Sequence, residues 1–138
     1  MRKLIYIQND FLRDLSKLIN FVQEKGWIVT GGELYRPYDM QLLYYYGYRV
    51  KECENTDKPI CLVKDKKVSW TKSSKHLQRL AIDLNFFKPV QGEYMLTYDK
   101  KDLDVFGDYW ESLSPLNKWG GFWKTPDTCH FQKLIKKG

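Results

Sequence analysis

The sequence predicts an α+β fold: a small, mostly antiparallel sheet with flanking helices. Three observations point there. Apolar residues recur at helical spacing near the N-terminus, they alternate strictly from Leu80 to Phe86, and the segments run helix, strands, helix, strands. With neither an internal repeat nor a linker, the 138 residues read as a single domain, 1–138, long enough to bury a core.

Each element has its own signal. Phe11, Leu15, Leu18, Ile19 and Val22 predict an amphipathic helix from about Asn9 to Lys25, and Gly26 stops it. Trp27 to Thr30 is short, apolar and β-branched, hence a strand that ends at Gly31-Gly32. Pro37 can open a second helix reaching Tyr46, with Met40, Leu43 and Tyr44 turned inward and Gly47 as its stop. Residues 51–73 are polar and lysine-rich, broken by a strand at Ile60–Val63, and predict a loop or hairpin flap. In Leu80–Phe86 the apolar face holds Leu80, Ile82, Leu84 and Phe86, while Ala81, Asp83 and Asn85 occupy the other. A further strand is expected over Glu93–Thr97, a helix over Asp99–Leu113 weakened by Gly107, and a last strand from His130 through Leu134 and Ile135. Trp119-Gly120-Gly121 suits a tight turn that packs the floor of a site and lets backbone approach closely.

Composition excludes some classes. An aromatic fraction of 16% argues against disorder. No apolar run approaches the roughly 18 residues of a membrane span, and the N-terminus lacks a signal-peptide core. A protein made in the cytoplasm, without a signal peptide, is the expectation. The net charge of +6 predicts attraction to polyanions, either nucleic acid or the anionic polymers of a bacterial envelope. The lysines are scattered, however, and read first as a solvated surface. Nothing beyond charge supports nucleic acid. Cys53 and Cys61 can pair in an oxidising compartment, but their spacing fits no zinc-knuckle or redox pattern, and free thiols are expected. Cys129 is expected to be small and buried, facing away from anything His130 holds, because neighbours on a strand point to opposite faces.

The chemistry concentrates around the only two histidines. His76 precedes Asp83 by seven residues, and His130 follows Asp127 by three. Two imidazoles and one carboxylate supply three ligands to Zn²⁺ and leave a fourth position for water, the mark of a catalytic rather than a structural zinc site. Positions seven apart on an unbroken strand face opposite ways, so His76 and Asp83 can meet only if the chain turns or bulges within Leu77–Arg79. The remaining carboxylate, Asp127, is then free to take a proton from water and deliver it to a leaving amine. No HExxH and no CxxC supports zinc independently. A histidine beside an apolar strand or a solvated aspartate is the bland alternative.

Ser74-x-His76-x(6)-Asp83, followed by Trp119-Gly120-Gly121 and Asp127-x-x-His130-Phe131, resembles the D-alanyl-D-alanine carboxypeptidase family of zinc peptidases. Its phage endolysin branch, the L-alanyl-D-glutamate peptidases, is more similar still. Glu33-Leu34-Tyr35-Arg36-Pro37 with Gln41 is similar to that family's upstream arginine segment. The resemblance implies one Zn²⁺ per chain on His76, Asp83 and His130, with Asp127 as catalytic base. It further implies that Arg36 polarises the substrate carbonyl or holds its carboxylate, and that Ser74 positions substrate. The implied substrate is the peptide stem of peptidoglycan, cut by a monomeric enzyme of phage or prophage origin that reaches the wall after release. A D-alanyl-D-alanine carboxypeptidase or dipeptidase is the alternative activity. A non-catalytic zinc domain, as in the similar hedgehog-type signalling domains, is another, against which Asp127 argues. Two positions depart from the family: Arg79 stands where glycine is common, and Gln132 where glutamate is.

Overall fold

The computed structural model describes residues 2–54 and 57–136. The fold is α+β. Helix α1 (Leu4–Glu24) leads into strand β1 (Ile28–Gly31), helix α2 (Tyr38–Tyr46) and a hairpin of β2 (Tyr48–Glu52) and β3 (Ile60–Lys64). Then come β4 (Ala81–Val90), β5 (Glu93–Thr97), helix α3 (Lys100–Ser112), β6 (Asn117–Trp119) and β7 (His130–Lys133). The main sheet is antiparallel in the order β1-β4-β7-β6, and β5 also pairs with β4.

Strand β4 organises the molecule. On one edge, β7 covers its first residues (Ala81↔Gln132 to Asp83↔His130) and β5 its last (Phe86↔Thr97 to Val90↔Glu93). The alternation from Leu80 to Phe86 holds: Leu80, Ile82, Leu84 and Phe86 are buried, and Asp83 lies on the opposite face. The buried face meets Phe11, Leu18 and Val22 of α1 and Leu103, Phe106 and Trp110 of α3. Phe86 stacks on Phe106, with ring centroids 5.3 Å apart. Both long helices thus cover one side of the sheet. The other side is left for chemistry.

Several elements differ from expectation. Helix α1 starts at Leu4, because buried Ile7 extends the apolar stripe by a turn before Phe11. Strand β4 continues to Val90 through Pro89, beyond Phe87, where β1 pairing stops; the missing N–H is tolerated there. Strand β2 is exposed along its whole length and so carries no periodic signal. In α2, Gln41 is the buried residue and Met40 is exposed, the reverse of an apolar inward face. Gly47 closes that helix in the left-handed conformation, φ 77°. The segment expected as a flap contains the β2–β3 hairpin, with residues 55 and 56 outside the described residues. Cys53 and Cys61 are bonded across this hairpin (Cα–Cα 6.2 Å), so the expectation of free thiols is corrected. The hairpin register brings them together: Cys61 lies opposite Lys51, and Cys53 N–H donates to Pro59 O.

Candidate metal centre

The turn required between His76 and Asp83 is present. Residues Lys75–Gln78 form one 3₁₀ turn, opened by Ser74, whose hydroxyl accepts the His76 N–H at 3.2 Å. Arg79 ends it in the left-handed region, φ 55°, and the chain enters β4 two residues later. A left-handed residue favours glycine, which accounts for glycine in the resembling sequences; here the Arg79 guanidinium lies 4.0 Å from the Tyr35 ring. Asp83 and His130 are direct cross-strand partners on β4 and β7, so their side chains share a face.

These placements bring His76 Nε2 and His130 Nδ1 each to 3.5 Å from the same atom, Asp83 Oδ1. That is longer than a normal hydrogen bond. It is the separation a metal imposes: ligand atoms about 2.1 Å from a tetrahedral ion lie roughly 3.4 Å from one another. The outer nitrogens of both rings are engaged. His76 Nδ1 bonds Leu34 O at 3.1 Å, and His130 Nε2 bonds Gln132 Oε1 at 2.8 Å. A carbonyl oxygen only accepts, so His76 Nδ1 carries the proton and Nε2 turns a lone pair inward. Lone pairs converging on a carboxylate oxygen fit a shared cation. Among the described residues, His76, Asp83 and His130 are the group able to hold a metal ion. Burial pushes the Asp83 carboxyl up, but the hydrogen bonds and positive charge that His130 and His76 supply when protonated outweigh it and hold it well below the ordinary carboxylate range; a shared cation would take the place of those protons. The carboxylate is therefore ready as a ligand.

The trio lines a cleft of about 690 Å³ together with Arg36, Ser74, Asp127 and Gln132. Arg36 is not exposed, as an arginine ahead of a helix-opening proline could be. Its Nε donates to Glu33 Oε1, its Nη1 donates to Gln41 Oε1 at 2.8 Å, and its guanidinium packs 4.8 Å from the Tyr44 ring. Two of its five N–H donors are used, leaving three. Burial, then Glu33, pushes the Tyr44 hydroxyl pKa up, so the ring stays neutral beside that pair. Ser74 lines the same cleft, although its oxygen already serves the turn.

Asp127 is exposed and fixed by its backbone. Its N–H donates to Gly120 O at 2.9 Å, and its carbonyl accepts His130 N–H at 3.2 Å, closing a turn into β7. A Cβ on Gly120 would come within 2.3 Å of the Asp127 carbonyl oxygen, so only glycine permits this approach. Trp119 supports the turn from below, its indole donating to Thr128 O at 2.9 Å.

Cys129 corrects the alternation argument. It sits in that turn, before β7 begins, so strand alternation does not apply to it. It is half-buried, lines the cleft, and its thiol lies 3.3 Å from Asp127 Oδ1. Burial and then the Asp127 charge push its pKa up to about 12, which keeps it a thiol. Gln132, noted in the sequence as a departure from the resembling family, proves to be the partner of His130, as its place two residues later on a strand allows. Glu33 and Gln41, which the upstream arginine segment already contained, prove to be the hydrogen-bond partners of Arg36.

Residues 67–133 match the family model described as D-alanyl-D-alanine carboxypeptidase. Among solved structures, the chain is similar to the Serratia marcescens L-Ala D-Glu endopeptidase ChiX. The likeness covers 91% of this chain and 79% of that one, at 17% identity and a TM-score of 0.61. At that identity the likeness is one of fold. No curated protein matches the sequence. The matched stretch includes His76, Asp83, Asp127 and His130, and Arg36 precedes it. Over that stretch, just under half of its length, the chain is similar to the D-alanyl-D-alanine carboxypeptidase family.

Proposed function

We propose that this protein is a zinc-dependent peptidoglycan peptidase of the endolysin type, an L-alanyl-D-glutamate endopeptidase acting on the wall peptide stem. The observation that carries the reading is the pair of 3.5 Å separations from two imidazole nitrogens to one carboxylate oxygen, at the base of an open cleft. The name of the ChiX neighbour supports the choice of bond, and the family supports peptidase chemistry.

His76, Asp83 and His130 would hold one Zn²⁺. The donor set is two nitrogens and one oxygen, short of the four a structural site uses. Zinc supplies Lewis acidity toward the scissile carbonyl and acidity to the attacking water. Asp127, exposed on its fixed turn, takes the proton of that water and returns it to the leaving amine. Arg36 presents its remaining donors to the carbonyl oxygen or to a substrate carboxylate, and its planar fork suits either. Ser74 has a hydroxyl proton left to offer substrate. The surplus of basic residues favours approach to an anionic wall. The chain acts as a monomer and a single domain, and nucleic acid is not its partner.

The alternative activity, D-alanyl-D-alanine carboxypeptidase, is favoured by the family's description. Product analysis after digestion of purified peptidoglycan separates the two. A newly exposed D-glutamate amino end is the expected result, whereas free D-alanine would overturn the endopeptidase reading in favour of the alternative.

A further inference from the structure

Trp70 is the most exposed large hydrophobic residue among those described, at 80%. It lines the metal cleft, on a wall that also contains Val68 and Thr71. A free indole usually sits on a mobile loop, but this one does not. Gln41, wholly buried, donates through one nitrogen to Ser69 Oγ at 2.9 Å and to Thr71 O, gripping the residues on either side of Trp70. The amides of Val68 and Ser69 both donate to Tyr44 O, at 2.9 and 3.2 Å. The same Gln41 accepts from Arg36, so the wall is tied to the arginine of the site. Lys67 Nζ sits 4.6 Å from the indole centroid, and no aromatic ring packs on Trp70 among the described residues.

Ordered backbone carrying an uncovered aromatic ring beside a cleft is the arrangement of a binding platform. Its chemistry selects the ligand. The flat, electron-rich face of an indole attracts the C–H edges of a pyranose ring, because the ring face is the negative pole of its quadrupole. Lys67, Lys72 and Lys75 lie nearby in sequence, with Lys67 and Lys72 both over the Tyr45 ring and Lys75 lining the cleft. They suit a ligand bearing carboxylates close to its sugar.

We propose that Trp70 is a saccharide platform that stacks on the N-acetylated sugar bearing the peptide stem, making the glycan part of the recognised substrate. This rests on the peptidoglycan reading above and deepens it. In the stem, one L-alanine separates the sugar's lactyl group from the L-Ala–D-Glu bond, and one extended residue spans about 3.5 Å. The sugar therefore lies at the rim when that bond is over the metal. A D-Ala–D-Ala bond lies several residues further along, which puts the sugar out of reach.

The test compares two substrates: a disaccharide-linked stem peptide and the same peptide carrying a simple acetyl group in place of the sugar. Wild type should show a kcat/KM preference of about five- to tenfold for the sugar-bearing form, expressed in KM. Trp70→Ala should reduce that ratio to near one, and Trp70→Phe should retain most of it. A wild type without preference, or a Trp70→Ala variant that keeps it, overturns the proposal. A second readout is independent of catalysis. The Trp70 indole N–H resonance, assigned by its absence in Trp70→Phe, should shift saturably when the free disaccharide is added. An unmoved resonance also overturns the proposal. If wild type cleaves neither substrate, the peptidase reading fails, and the resonance still decides the platform.

Discussion

One short strand, β7, carries two buried polar clusters on opposite faces, and they are built to opposite ends. On the helix side, Lys133 Nζ meets Asp14 Oδ2 at 2.9 Å, and Asn117 donates to the same oxygen at 3.1 Å. On the cleft side, three residues earlier in the chain, His130 and His76 stand 3.5 Å from Asp83 without closing on it. The first cluster neutralises itself: one cation and one anion in contact, with α1 laid across them. The second has an anion and two lone-pair donors converging on one another. Burial does not separate the two: the buried polar atom without a partner, among the described residues, is Asn117 Oδ1 on the helix side. Both clusters are equally polar in sequence, so polarity alone does not reveal a site. What marks the cleft is a set of ligand-type atoms, from His76, Asp83 and His130, that converge on one another.

The sharpest break between the two comes from removing a member of each. His76→Ala should abolish stoichiometric zinc and lower wall digestion by roughly a thousandfold or more, with metal content measured by elemental analysis. Asp127→Ala separates holding from chemistry: zinc stays, and the rate falls by about a hundred- to ten-thousandfold. An Asp127→Ala protein of full activity would remove it from the mechanism, and a zinc-free wild type that still digests wall would remove the metal. Lys133→Met, by contrast, should leave zinc in place and cost about 3–5 kcal/mol in urea unfolding, because Asp14 is left buried without its cation. The double variant Asp14→Leu/Lys133→Met should recover much of that loss, since apolar replacement of a whole buried pair is often neutral. No such recovery is available at the cleft, where a second substitution cannot restore a ligand.

A smaller effect is expected one step out from the metal ligands. Gln132 Oε1 fixes His130 through the ring nitrogen that faces away from Asp83. Gln132→Ala should weaken zinc about ten- to a hundredfold in a chelator competition while leaving the fold intact. Gln132→Glu should bind zinc at least as well as wild type. If Gln132→Ala binds zinc with unchanged affinity, Leu34 and the protein matrix alone orient the ligands.

The cleft was more legible in the sequence than the ion pair. His76, Asp83, Asp127 and His130 belong to a motif with fixed spacing, and the alternation from Leu80 to Phe86 assigned Asp83 to a face. Asp14 and Lys133 gave no comparable signal, because they are 119 positions apart and each reads as an ordinary charge on an amphipathic element. Elements with apolar periodicity were legible too, such as α1 and the first half of β4. Exposed β2 was not, and β6, three residues long, was folded into the reading of a turn. Cys129 was misplaced because an argument valid within a strand was applied one residue before it starts. Trp70 and the link from Gln41 to Ser69 and Thr71 escaped, because they depend on where residues 65–71 lie against α2, a tertiary fact.

The two faces also differ in how the chain reaches them. The helix side is entered through regular structure, whereas the cleft side depends on the Arg79 turn, left-handed at φ 55°. A non-glycine residue in that region costs about 1–2 kcal/mol. Glycine would remove this strain but add freedom to the unfolded chain, about 0.4–1 kcal/mol, and forfeit the contact with Tyr35, worth about 0.5–1 kcal/mol at an exposed site. These terms nearly cancel, so Arg79→Gly should lie within about 0.5 kcal/mol of wild type. Arg79→Val keeps the strain, worsens it with a branched Cβ and loses the Tyr35 contact. It should cost about 1–2 kcal/mol and weaken zinc binding, because His76 sits in the turn that Arg79 closes. Thermal unfolding with and without chelator reads both. A valine variant equal to glycine in both measurements would show that the turn is held by Ser74 and β4, and that the left-handed residue merely follows.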